Sequence, residues 1–301
     1  MASTDRILPA IALRLTSVLI FATMNVTIKL AERSGAALGE ILFFRQFGAC
    51  VLVAGVIAAG PGLRTVATQR LASHVLRAIV GLTAMALTFT GIVALPLAEA
   101  TTINFTVPVF ATILGALVLR EPTGWHRWAA VITGFVGVLI VAQPGGAHFP
   151  LWGAGCALAG ALGTASVTIL LRQMGRTESA LTTVFWFSAL SLLPLSLVYA
   201  AAAQPHAAMT WVWLAAIGLL GGLAQIAMTS SLRLGPVSMV VPMDYSSLLW
   251  ATLFGWLVFD VLPASATWIG APLIVASGLY IVWREHVRQR SVTQEAGPIA
   301  S

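Results

Sequence analysis

Ten apolar runs follow one another through this chain with only short polar breaks between them, which leaves little to fold into except a bundle of membrane helices. A bilayer core takes about 20 apolar residues per helix. The runs fall at about 8–31, 37–59, 73–94, 98–119, 126–143, 151–172, 180–202, 211–232, 237–259 and 266–284. The breaks (AERSGA, GPGLRTVATQR, LREPTGWHR, QPGGAHFP, RQMGRTES and FDVLPASA) are made of Gly, Pro and charged residues, which end helices. No soluble domain is inserted between runs. The first run is too long, and too poorly followed by small residues, for a cleaved signal peptide, and is expected to be the first span. Only the polar segment after Trp283 lacks an apolar period, and 285–301 is expected to be a disordered tail. The expected fold class is an all-α polytopic membrane protein of ten transmembrane helices.

Composition agrees. Charged residues make up 9% of the 301 positions, against about 25% in an average soluble domain, so most of the surface must face lipid. The net charge of +6 would suggest nucleic acid in a soluble chain, but here the arginines occupy the breaks. Arg6, Arg64, Arg70, Arg120, Arg127, Arg172, Arg176, Arg233, Arg284, Arg288 and Arg290 share one alternate set of connections, and the other set offers Arg33 and Lys29. By the positive-inside rule both termini are expected in the cytoplasm. Cys50 and Cys156 lie in apolar runs as packed thiols. The sequence holds no HxxxH, CxxC, Walker or GxGxxG pattern, so no metal, cofactor, ATP hydrolysis or enzymatic chemistry is expected.

A weak internal repeat refines the topology. LPLAEATTINFTVPVFATILGALVLREP from Leu95 overlays GPVSMVVPMDYSSLLWATLFGWLVFDVL from Gly235, 140 positions on. The overlay sets Asn104 on Asp244, Phe105 on Tyr245, Ala111 on Ala251 and Gly115 on Gly255. Two similar units of five spans each must enter the membrane in opposite senses. The expected arrangement is therefore a 5+5 inverted repeat, residues 8–145 and 150–284. These stretches resemble the EamA-type branch of the drug/metabolite transporter superfamily over about residues 8–284. The resemblance implies transport of a small organic molecule; this group carries amino acids, purines, vitamins, S-adenosylmethionine and toxic cations. The FFRQF stretch of the second span is similar to the branch associated with S-adenosylmethionine or riboflavin uptake. Such a protein is expected in the bacterial inner membrane.

Candidate site residues are those whose burial in lipid would otherwise be costly. Asp244, about seven residues into the ninth span, is expected to bind substrate or couple protons, or else to pair structurally with Arg45 or Arg77. Pro242 beside it and Pro108 in the fourth span interrupt helices at matching places, a pointer to a central site. Asn104, as the repeat partner of Asp244, joins it near the pseudo-axis. Arg45 is deep enough to bind a substrate carboxylate or phosphate, or to pair with Asp244 or Glu99. Asn25 bonds substrate or another helix. Tyr245 and Trp250 offer a ring to stack on, or pack as core. Lys29 either forms a polar face of the first span with Asn25 or snorkels to the outer headgroups, and Glu40 is read as hydrated at the outer interface.

With Asp244 and Arg45 both deep, a ligand carrying both signs is favoured: an amino acid or a derivative such as S-adenosylmethionine. The alternatives are efflux of toxic cations, riboflavin-like vitamin transport, a channel, and a membrane lipid enzyme, for which no interfacial catalytic cluster exists. The expected partners are a small-molecule substrate and the lipid bilayer. Small-residue faces in the sixth and eighth spans would serve a homodimer as well as packing within the chain.

Overall fold

A computed structural model describes residues 7–117, 125–142, 150–174, 177–234 and 241–295. Its regular structure among these residues is helical throughout. The first half contains α1 (Ile7–Arg33), α2 (Leu38–Ala59), α3 (Leu71–Ala94), α4 (Leu97–Asn104), α5 (Val107–Leu117) and α6 (Trp125–Ala142). The second contains α7 (Leu151–Met174), α8 (Ala180–Ala202), α9 (Ala208–Leu234), a 3-10 turn over Val241–Ser246, α10 (Ser247–Phe259) and α11 (Ser265–Glu295). Six of these helices, α1, α2, α3, α7, α8 and α9, are long and apolar enough to cross a membrane by themselves. Exposed leucines such as Leu8, Leu193, Leu197 and Leu249 coat the outside, which water would not tolerate in such number. The chain is an integral membrane protein.

Two features depart from ten uninterrupted spans. The fourth run is broken into α4 and α5, and the described part of the ninth begins as a 3-10 turn before α10. The segment expected to be disordered begins helical, because α11 continues past Trp283 to Glu295. Its REHVRQRSVTQE stretch is rich in Arg, Glu and Gln, which lose little side-chain freedom in a helix.

Helices pair across the two halves. α1 lies along α9 and α3 along α7, while α2 packs on α8, α6 on α11, and α4 on α10. Glycine sets the closest seams. A Cβ on Gly48 of α2 would stand 2.5 Å from the Gly218 Cα of α9, and one on Gly91 of α3 would stand 2.9 Å from the Ala157 Cβ of α7. Gly153, Gly160 and Gly163 likewise meet α3. The small-residue faces of the sixth and eighth spans are thus taken up within the chain, where close backbone approach replaces a hydrophobic drive that lipid does not supply. Ile28, Ile41, Leu95, Ile103, Leu214 and Ile274 fill the shared core between the halves.

Candidate functional site

The two broken spans meet. In the fourth, the amide of Phe105 bonds back to the carbonyls of Thr101 and Thr102, and that of Thr106 to Ile103 at 3.1 Å, tightening the last turn of α4. Pro108 has no N–H to offer the carbonyl of Asn104 four residues earlier, so the helix restarts rather than continues. The Thr106 hydroxyl donates to the Ile103 carbonyl at 2.8 Å. In the ninth span the repeat-equivalent hydroxyl, Ser246, donates to the equivalent carbonyl, Met243, at 2.6 Å. The rings of Phe105 and Tyr245, also equivalent, lie edge to face with centroids 4.9 Å apart. The Tyr245 hydroxyl reaches Gly278 of α11, occupying the space a side chain would fill there.

Asn104 and Asp244 flank this junction. The Asn104 side-chain oxygen is enclosed and has no hydrogen-bond partner among the described residues. Asp244 is partnered, but not by either expected arginine. Arg14 of α1, 230 positions away, grips it with two bonds: Nε to Oδ1 at 2.5 Å, and Nη2 to Oδ2. The Arg14 side chain is 9% exposed and that of Asp244 38%. A forked guanidinium on a carboxylate is the strongest ion-pair geometry available to side chains. Arg14 is not among the expected partners, because it lies inside the first apolar run, apart from the arginines of the breaks. Its position there was the available signal, since an intramembrane arginine requires a partner.

Other expectations are corrected. Arg45 pairs with neither Asp244 nor Glu99; its Nη1 donates to its neighbour Gln46, and it lies over the Phe187 ring of α8. Lys29 does not snorkel. It is buried, and its ammonium donates to the carbonyls of Ile92, Val93 and Leu95, capping the end of α3. Glu40 is not hydrated: it is fully buried, accepts from the Ala37 amide at 2.8 Å, and holds His206 at 2.9 Å. Glu99 accepts from the Ala264 amide at 2.9 Å and from the Thr267 hydroxyl, tying α4 to the start of α11. Asn25 is half-buried on α1. Trp250 is set apart, lining with Leu15, Thr16 and Leu19 a groove of about 380 Å³ between α1 and α10, among exposed leucines.

Polar ties join the two ends of α2, with their linkers, to the two ends of α8. At one, Glu40–His206 and the Thr210 hydroxyl on the Ser34 carbonyl join the α1–α2 turn to the α8–α9 linker. At the other, Thr68 donates to Glu178 at 2.8 Å, Thr182 to the Thr65 carbonyl, and Trp186 to the Val66 carbonyl. His74 stands 3.5 Å from Glu178 there. Each set of ties includes an acid beside a histidine.

A profile of the EamA-like transporter family matches residues 8–143 and, separately, residues 151–283. The chain belongs to that family. Its relatives include a riboflavin transporter of Vibrio cholerae, 28% identical over 92% of this chain and 93% of the relative. A riboflavin transporter of Rhizobium johnstonii is 30% identical over 91% and 89%. An S-adenosylmethionine uptake transporter of Rickettsia bellii is 27% identical over 82% and 84%. A protein of known crystal structure, 21% identical, superposes on 91% of this chain and 96% of its own with a TM-score of 0.61, a likeness of fold alone. Members of this family are transporters of the drug/metabolite superfamily, and the long apolar helices fit that membership.

Proposed function

We propose that this protein is a secondary carrier of a small organic metabolite in the bacterial inner membrane, working by alternating access around the junction of the two broken spans. The observation that carries this is the matched pair of breaks: Thr106 and Ser246 make the same hydrogen bond three residues back, and Phe105 touches Tyr245. Irregular backbone at membrane depth is tolerated where it lines a cavity or is held by protein, and carriers place their sites at such breaks.

In this proposal residues 8–145 and 150–284 form a 5+5 inverted repeat, followed by the segment 285–301, with both termini cytoplasmic. Two facts support the symmetry. The family profile matches each half, and the helix pairs map onto themselves when each span is replaced by the one five later: α1 with α9 becomes α7 with α3. Asp244, Asn104, Tyr245, Arg45 and Asn25 face the carried molecule, and Trp250 walls the neighbouring groove. Asp244 couples transport by exchanging Arg14 for a proton or for a cationic group of the substrate. Because Arg14 pairs with Asp244, that acid does not stand free for a lipophilic cation, which weighs against multidrug efflux. A second copy of the chain would have to dock elsewhere than the glycine seams of α7 and α9.

The names of the relatives give two substrate classes equal standing, a riboflavin-like vitamin and S-adenosylmethionine or another amino-acid derivative. Counterflow in proteoliposomes tests the proposal. Vesicles preloaded with unlabelled riboflavin or S-adenosylmethionine should accumulate the labelled compound transiently and saturably. Flux that is linear in concentration and indifferent to preloading would make the protein a channel; no flux of either compound, or of amino acids, would reject the substrate assignment.

A further inference from the structure

Two arginines deep in the bundle have no acid beside them. Arg45 of α2 and Arg77 of α3 are each 6% exposed, and neither lies within ion-pair distance of a carboxylate among the described residues. Their guanidinium carbons converge on one ring, 5.9 and 4.0 Å from the centroid of Phe187. Beyond the bond from Arg45 to Gln46, the enclosed donors Arg45 Nε, Arg77 Nε and Arg77 Nη1 find no acceptor among the described residues. Among the described residues, other buried polar groups of α2 and α8 are in the same condition. Gln46 Nε2 and the hydroxyls of Ser188 and Ser191 are buried and unpartnered. Ser188 follows Phe187 directly, and Ser191 lies one turn further along the same helix.

Space has been kept for both arginines. A Cβ on Gly81 would collide with Arg77 Nη1 and stand 2.9 Å from the Phe187 ring, and one on Gly221 would stand 3.2 Å from Arg45 Cγ. The result is a cluster of donors that lacks what would satisfy it. A guanidinium offers five N–H groups and accepts nothing. The Phe187 face attracts a cation but leaves those N–H groups unbonded. Two like charges held in a low-dielectric interior repel, and each unmet donor there is unfavourable. A single oxyanion, with several lone pairs and a negative charge, answers all of these at once and suits the planar fork of arginine.

We propose that Arg45 and Arg77 hold an oxyanion group of the carried molecule, a carboxylate or a phosphate, with Ser188, Ser191 and Gln46 as neutral donors. The word "carried" rests on the carrier function proposed above; binding itself does not. Of the two substrate classes, the amino-acid carboxylate of S-adenosylmethionine supplies such a group, whereas an uncharged flavin does not.

The test is thermal unfolding of the full-length protein in a neutral detergent, with sodium phosphate, sodium malonate or sodium chloride at matched ionic strength and pH. A ligand of the folded state raises the melting temperature as its concentration passes its dissociation constant. Phosphate or malonate should give a saturable rise over chloride, and whichever acts identifies the group. Arg45→Gln and Arg77→Gln should each abolish the rise, and without oxyanion each should melt no lower than wild type, since one bare charge is gone. No excess over chloride in wild type, or an equal excess in both variants, overturns the anion site, and the wild-type comparison stands even if a variant fails to fold. Counterflow with no oxyanion effect would keep the carrier and discard this site; an oxyanion effect without counterflow would do the reverse.

Discussion

Removing the carboxylate of Asp244 should cost more than removing the guanidinium it holds. The pair is lopsided: the Arg14 side chain is 9% exposed and that of Asp244 38%. Breaking a fully buried ion pair from one side costs about 3–5 kcal/mol, chiefly because the survivor is left charged and dry. Asp244→Asn strands the buried arginine and should fall near the lower end, about 3 kcal/mol. Arg14→Gln strands the less enclosed of the two groups, and with the 38% exposure of Asp244 taken as an opening to a wet cavity the loss, discounted for screening, should be about 1–2 kcal/mol. The double variant removes both charges and should be less destabilised than the sum, with a coupling energy of about 2 kcal/mol, inside the range for groups in direct contact. At roughly 2 °C per kcal/mol for a chain of this size, Asp244→Asn should lower the melting temperature by about 6 °C and Arg14→Gln by about 3 °C. Fluorescence-monitored thermal unfolding of the four proteins in one detergent measures all of this. Strictly additive effects, or a larger loss for Arg14→Gln than for Asp244→Asn, would refute the assigned pairing and its asymmetry. In vesicles, Asp244→Asn should abolish gradient-driven uptake while the protein still inserts; undiminished, gradient-dependent flux would remove Asp244 from coupling.

Three further outcomes are expected. Lys29→Met leaves three carbonyls at the end of α3 without their donor and should cost about 1.5–3 kcal/mol in a melting assay, the worth of hydrogen bonds to a charged group; a snorkelling lysine would show no change. Gly278→Ala should displace the Tyr245 hydroxyl and reduce transport, and adding Tyr245→Phe should recover part of the loss by removing the colliding oxygen; no recovery would place the defect elsewhere. For topology, a cysteine at Ala207 should react with an impermeant reagent in intact cells and one at Gln69 only after permeabilisation, both positions being exposed; the opposite pattern would invert the orientation.

The broken spans were legible in the sequence because proline and repeat spacing are local signals: Pro108, Pro242 and the 140-residue offset located both interruptions. The partner of Asp244 was not. Arg45 and Arg77 are the partners expected for Asp244, yet Arg14 also lies within an apolar run, and the choice depends on which helix lies beside the 3-10 turn. Nothing in a sequence of low charge encodes the packing of α1 there. Lys29 and Glu40 were misplaced for a related reason. A charged residue near the end of a span looks hydrated until the linkers are placed, and here the end of α3 and the α8–α9 linker fold over them. The depth of Arg45 follows from its place in the second span, but its convergence with Arg77 on Phe187 joins three helices that no periodicity connects.

Alternating access around the broken spans requires the two ends of the bundle to open in turn. Spin labels at Ser34 and Ala207 report one end, and labels at Gln69 and Thr177 the other; all four positions are exposed, and the ties between Ser34 and Thr210 and between Thr68 and Glu178 lie beside them. Distance distributions by pulsed electron resonance, recorded in vesicles with and without the compound that counterflow identifies, test the claim directly. Reciprocal change is predicted, with one pair widening as the other closes up. Widening of both pairs together, or no change at either end during measurable transport, would contradict it.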